Sequence, residues 1–261
     1  MVTAVSLLAP VADPFYRAVS EWLTRATALP VQLLETGPWE AREQALHGGH
    51  AHLAFMCGIQ YARRAQTLRL LGVPVPDGPR YGGRPVYYTD VVVRADSSFS
   101  SFADLRGQSW AYNGLESFSG YCVVAAHLAQ LGEVQGYFGR AMTSGAHAES
   151  LRLVLDGKVD AAPIDSTVLD MLTAADPTLC QALRVVERMG PSPHPPAVAR
   201  ADLDADQFAA LQHALLNMHE DREGRKGLAL GGFRRWLPGE TQDYLEQLPL
   251  DALAAQTPLT P

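Results

Sequence analysis

One structural design is written into this chain twice. Ala45 to Gly58 reads ALHGGHAHLAFMCG and Leu153 to Ser166 reads LVLDGKVDAAPIDS. In each, a helix end runs into glycine, a short turn comes next, and a buried strand begins whose far end carries small or polar residues. A supersecondary unit that recurs in both halves points to a molecule of two related parts, each burying its own strand. A second echo fits the same division. YYTDVVVRAD (Tyr87 to Asp96) and PPAVARAD (Pro195 to Asp202) are strand-like segments closing on the same Arg-Ala-Asp. They read as paired connections, one leaving the first lobe and one returning to it. The expected organisation is a discontinuous first lobe, residues 1–90 plus 197–261, and a continuous second lobe, residues 91–196, with a ligand cleft between them.

Between these landmarks strand and helix signals alternate, which favours an α/β architecture with a parallel sheet in each lobe. Ala4 to Leu8 is expected as a strand, Asp13 as an N-cap before Pro14, and Phe15 to Ala26 as a helix. Val31 to Leu34, His52 to Met56 and Leu68 to Val73 are expected strands, Trp39 to Leu46 a helix, and Pro74 to Pro85 a turn.

Composition narrows the function. At 261 residues and 47% hydrophobic the chain can bury a sizeable core. With 21 Lys+Arg against 28 Asp+Glu its net charge is -7, so nucleic acid is not an expected partner. The Arg222, Arg225, Lys226, Arg234, Arg235 group is interleaved with acids and reads as a solvated face. No apolar run approaches the roughly 18 residues that span a bilayer. Met1 to Pro14 has no Lys or Arg and so lacks the charged start of a secretory signal. The location is therefore periplasmic or extracytoplasmic if a signal was removed, and cytoplasmic if Met1 is the native start. Cys57, Cys122 and Cys180 are widely spaced, which fits neither a disulfide scaffold nor a thiolate zinc site. His47, His50 and His52 are split by Gly48-Gly49, which breaks helical ligand spacing, so no metal and no cofactor is expected.

Three polar signatures carry the chemistry, each between a strand-like and a helix-like run. They are YNGLESFSGY (Tyr112 to Tyr121), TSGAHAES (Thr143 to Ser150) and GKVDAAPIDS (Gly157 to Ser166). Hydroxyls, glycines and a histidine at helix starts suit a small oxyanion, because helix N-termini present unpaired N–H groups and a partial positive charge. Ser119 also fits an N-cap of a helix Gly120 to Gln130, and Asp165 an N-cap of a helix from Ser166 to Ala174. A histidine of ordinary pKa near 6.5 at His147 would add positive charge to such a site in mild acid.

The order SGY, then GAH-x-x-S-L, then the strand DGKVDAAPID resembles the phosphate-, phosphonate- and phosphite-binding (PhnD-type) substrate-binding proteins of ABC transporters. HLAFMCGIQY (His52 to Tyr61), YYTDVVVRADSSFSSFADLRGQ and ALLNMHEDREGRKGLALGGFRRWLP extend the resemblance over nearly the whole chain. It implies a two-lobed type II periplasmic-binding-protein fold, each lobe a mostly parallel sheet flanked by helices, joined by two hinge strands. It implies a solute-binding protein for a small anionic ligand of phosphonate, phosphite or phosphate type, and an ABC-transporter permease as partner. Carried over residue by residue, it implicates Ser117, Ser119, Gly120 and Tyr121 in the serine loop, His147 in GAH, Asp165 after the buried strand, and Tyr61 and Tyr88 across the cleft. Phe118 interrupts the hydroxyl run, His52 stands where the first-lobe repeat usually has Asp, and Glu116 puts a carboxylate beside the loop that suits a ligand amine. The alternative is a cytoplasmic enzyme or ligand sensor on the same fold; against an enzyme, there is no G-x-S-x-G and no paired acids at a plausible spacing.

Overall fold

The computed structural model describes residues 1–35, 39–133 and 136–259. The chain divides into two compact units, residues 1–86 with 193–245 and residues 87–192 with 246–261. It passes through β1 (Val2–Ser6), α1 (Asp13–Thr27), β2 (Val31–Leu34), α2 (Trp39–His47), β3 (Leu53–Phe55), α3 (Gly58–Ala62) and β4 (Leu68–Pro76). It then crosses into the second unit with β5 (Val86–Arg94), β6 (Ser109–Tyr112), α4 (Val123–Gln130), β7 (Arg140–Thr143), α5 (His147–Leu155), β8 (Ala161–Asp165), α6 (Ser166–Ala175), α7 (Leu179–Ala182) and β9 (Leu183–Pro193). It returns through β10 (Ala197–Arg200), α8 (Ala205–Leu216), α9 (Arg222–Leu230), β11 (Phe233–Leu237) and α10 (Thr241–Leu245), and finishes with α11 (Leu248–Gln256).

The first unit holds a six-stranded sheet in the order β11-β4-β10-β3-β1-β2. β1 runs parallel to β2 and β3, whereas β10 is antiparallel to β3 and β4, and β11 is antiparallel to β4. The sheet is thus mixed and not mostly parallel. On this sheet Phe15 of α1 packs on Phe233 at 4.7 Å between ring centres, and Tyr16 on Phe55 at 4.4 Å.

β4 runs three residues past its expected end, through Pro74 to Pro76. Leu68 to Gly72 pair with β10, while Val73 to Pro76 pair only with β11. A strand paired on one side tolerates proline, because the missing N–H is asked for by no neighbour. Helix α1 starts two residues early. Ala12 is its N-cap, without a side-chain cap, and Asp13 lies in its first turn.

The second unit holds a five-stranded sheet in the order β7-β6-β8-β5-β9. β6 is parallel to β7 and β8, and β5 is antiparallel to β8, so this sheet is mixed as well. Its core gathers Val92, Ala111, Leu151, Val154, Val159, Ala162, Ile164 and Leu169. The sequence pattern assigns all of 197–261 to the first lobe. Instead residues from Glu246 onward belong with the second unit, because α11 packs on α4 and on the turn before it. The last two residues of that range lie outside the described residues. The chain therefore passes between units three times, after Val86, after Ser192 and after Leu245, where two connections are expected from the sequence.

Candidate functional site

In the second unit the parallel pairing of β6 with β7 and β8 turns the carboxyl ends of all three strands to one edge of the sheet. Tyr112 pairs with Thr143 at that edge, and β8 ends there at Asp165. β6 and β7 are each followed by a turn and a helix, and β8 runs directly into α6, so helix N-termini gather where an open α/β sheet binds its ligands. The first two polar signatures fall here, and the third ends here at Asp165 and Ser166.

The serine signature is not a plain capped helix. Phe118 to Cys122 form a single wide π-turn leading into α4, with the N–H of Cys122 donating to the Ser117 carbonyl at 3.1 Å. The N-cap is Ser117, whose Oγ accepts from the Gly120 N–H at 3.0 Å, and not Ser119. That frees Ser119 from capping and leaves it inside the turn, 4% exposed. Gly120 is required by space: a Cβ there would lie 1.7 Å from Asn113 Oδ1. Thr89 of β5 anchors the turn by donating from its hydroxyl to the Ser119 carbonyl at 3.2 Å.

His147 opens α5, whose N-cap Ala146 offers no side-chain cap. Gly145, at φ 89°, makes the tight entry that a residue with a Cβ would resist. The imidazole is 6% exposed, and its Nε2 lies 3.3 Å from Ser119 Oγ. Burial pushes its pKa down to about 4, an effect only partly offset by the Pro163 carbonyl. The expected gain of positive charge in mild acid is thereby corrected: in this environment the ring stays neutral. Ser144 supports the same loop through its hydroxyl, which donates to the Tyr112 or Ala146 carbonyl and meets the fully buried Ser150 hydroxyl at 2.6 Å.

Asp165 caps α6, accepting from the Thr167 N–H at 2.8 Å, the Thr167 hydroxyl at 2.7 Å and the Val168 N–H at 3.4 Å. Its strand partner is Thr89, which links it to the serine turn. Tyr88 lies next to that pair. Its N–H donates to Ser166 Oγ at 3.0 Å, and the Arg188 guanidinium sits 5.6 Å from its ring centre. Tyr121 is turned elsewhere: its ring packs on Tyr112 and its hydroxyl hydrogen-bonds the Leu259 main chain. Glu116 is exposed on the approach to the turn.

Tyr61 belongs to the first unit, in α3. It is 1% exposed, its hydroxyl meets Thr241 Oγ1 at 2.8 Å, and its ring meets Tyr244 edge-on. Burial pushes its pKa up, with the Thr241 contact opposing. The structure thus brings Ser117, Ser119, Gly120 and His147 into one cluster and places Asp165 and Tyr88 beside its anchor, Thr89. Thr89, Asn113 and Ser144 are not distinguished by the sequence. Asn113 and Ser144 stand inside the signatures, but nothing in their spacing separates them from their neighbours. Among the described residues no cluster of ligating side chains could hold a metal ion, and no helix is long and apolar enough to cross a membrane.

Comparison with solved structures agrees with this architecture. The chain superposes on a binding-protein component of an ABC phosphonate transporter from Pseudomonas aeruginosa with a TM-score of 0.83 at 17% identity, covering 98% of this chain and 87% of that one. PhnD1 from Prochlorococcus marinus in complex with methylphosphonate gives 0.82 at 17% identity, covering 98% of both chains. A Xanthomonas citri protein bound to chloride gives 0.75 at 15% identity, covering 98% of this chain and 98% of that one. These likenesses establish the type II periplasmic-binding-protein fold. No curated protein matches the chain. The model of the phosphonate periplasmic substrate-binding proteins of ABC transporters matches residues 10–244. The chain belongs to that family, whose members are ligand-binding components of transporters and not enzymes.

Proposed function

We propose that this protein captures a small phosphonate-type oxyanion, the second unit gripping it at the serine turn and the start of α5, and delivers it to an ABC-transporter permease from the extracytoplasmic side. The observation that carries the reading is the contact of Ser119 Oγ with His147 Nε2 at 3.3 Å, both groups buried at the starts of two neighbouring helices. Two neutral hydrogen-bonding side chains and the main-chain N–H groups of an uncapped helix start suit an anion, and they hold it by dipoles without a buried cation. The serine hydroxyl can turn from the imidazole to the ligand at little cost, since hydroxyl rotors follow the best acceptor. Ser117 and Gly120 fix the turn, and Asp165 and Tyr88 border it. Glu116, exposed on the approach to the turn, completes the set.

The test is calorimetric titration with methylphosphonate, phosphite and phosphate. Ser119→Ala and His147→Ala should each weaken methylphosphonate binding roughly ten- to a hundredfold, the range for losing a hydrogen bond to a charged group. Full affinity in either folded variant, or no binding of any of the three anions by the natural chain, overturns the reading.

A further inference from the structure

The serine turn does not stand by itself. A π-turn is a rare, single-turn feature that neighbouring structure must support. Here the support comes from the end of the chain. After Leu245 the backbone enters the second unit, and α11 packs on both α4 and the turn. Asp251 of α11 accepts from the Cys122 thiol at 3.5 Å. Beyond the helix, Thr257 and Leu259 are 4% and 3% exposed, and they line a closed seam with Leu128, Tyr137 and Phe138. The Leu259 main chain hydrogen-bonds the Tyr121 hydroxyl and lowers its pKa against the raising effect of burial. Only a donor lowers the pKa of a phenol in this way, so the group involved is the Leu259 N–H. Tyr121 and Cys122, the last two residues of the π-turn, are thus each tied to a different point of the C-terminal segment.

We propose that the segment Leu248–Leu259 is a positioning strap for the serine turn, and that Tyr121 acts through it as a positioning residue and not as a ligand contact. The inference rests on the reading that Ser119 in this turn holds the ligand. A geometry that must be held to within a fraction of an ångström is lost when its supporting shell loosens, even with the contacting residues intact.

Two substitutions at one position separate the hydrogen bond from packing. Leu259→Pro removes the N–H and keeps an apolar ring, whereas Leu259→Ala keeps the N–H and loses packing. Both are compared with the natural chain and with Ser119→Ala by methylphosphonate titration, thermal melting and amide hydrogen exchange. Leu259→Pro should weaken binding by roughly tenfold or more, as expected for a hydrogen bond whose loss misplaces the turn, and should speed exchange at residues 118–122. Leu259→Ala should melt lower yet bind within about threefold of the natural chain. If Leu259→Pro binds like the natural chain and its exchange at 118–122 is unchanged, the strap is overturned. If in that case Ser119→Ala still loses binding, the proposed function stands. If the natural chain takes no methylphosphonate, the proposed function falls, and exchange at 118–122 alone decides the strap.

Discussion

The two echoing stretches are alike at one end and opposite at the other. Both helices stop with the same pair of hydrogen bonds: His50 N–H to Ala45 and Gly49 N–H to Leu46 in the first unit, Lys158 N–H to Leu153 and Gly157 N–H to Val154 in the second. Gly49 at φ 79° and Gly157 at φ 66° occupy the left-handed position that this termination requires. Both then enter a buried strand, β3 or β8. The far ends of the two strands differ. β8 ends in Asp165, which caps α6 with three hydrogen bonds, while β3 leads to Cys57, which gives α3 no side-chain cap. Neighbouring α5 is uncapped as well. A repeated scaffold can therefore present both closed and open helix starts, and the open ones are where main-chain N–H groups are available to an anion.

The open start of α5 carries the largest predicted effect, through the acid it excludes. The folded pKa of His147 is about 4 against an ordinary 6.5. As pH falls the unfolded chain takes up this proton first, so the contribution is fully present above pH 6.5 and is lost between about 6.5 and 4. The loss is of order 3 kcal/mol, about 1.4 kcal/mol for each pH unit of that interval. Urea unfolding of the natural chain from pH 7 to 4 should show this decline, and His147→Gln should flatten it. A slope identical in the variant would mean that the ring is not held neutral, and the contrast between open and closed starts would lose its best example.

The closed start is tested by Asp165→Ala, which should cost about 1–2 kcal/mol, the upper part of the N-cap range, because the carboxylate also accepts from the Thr167 hydroxyl. Asp165→Asn should recover part of it. A loss of methylphosphonate binding without loss of stability would instead place Asp165 on the ligand.

Much of this is legible in the sequence because it depends on neighbours in sequence. The glycine terminations, the strands β1, β2, β3, β5 and β8, and the cap at Asp165 all come from local patterns, and the two echoes expose the division into two units. The features that escape depend on distant partners. The extension of β4 through Pro74 rests on β11, whose pairing leaves one side of that strand open. The affiliation of α11 with the second unit rests on which apolar surface its own apolar residues meet, and the sequence of a helix does not name its partner. Ser119 resembles a cap because a serine stands there before glycine and a helical run; the π-turn moves the cap two residues back to Ser117. The neutrality of His147 is a consequence of burial among residues distant in sequence and has no sequence signal of its own.

The smallest predicted effect sharpens the comparison from the uncapped side. Cys57 has the extended N-cap conformation at φ -60° and ψ 140°, the geometry in which a serine hydroxyl reaches the N–H two or three residues on. A thiol is a weak acceptor, which explains why the same backbone leaves α3 without a cap. Cys57→Ser changes one atom and should stabilise the protein by about 0.5–1 kcal/mol if the hydroxyl closes the cap, the lower part of the N-cap range. For a chain of this size that is a rise of about 1–4 °C in melting temperature, readable by calorimetry. The gain is bounded because Cys57 is half-buried, and exchanging sulfur for a more polar oxygen costs some apolar contact. A net loss would show that the thiol is a packing group and that α3 stays open for steric reasons. The difference between the two echoes would then lie in the packing around the strand end, and not in the choice of residue just beyond it.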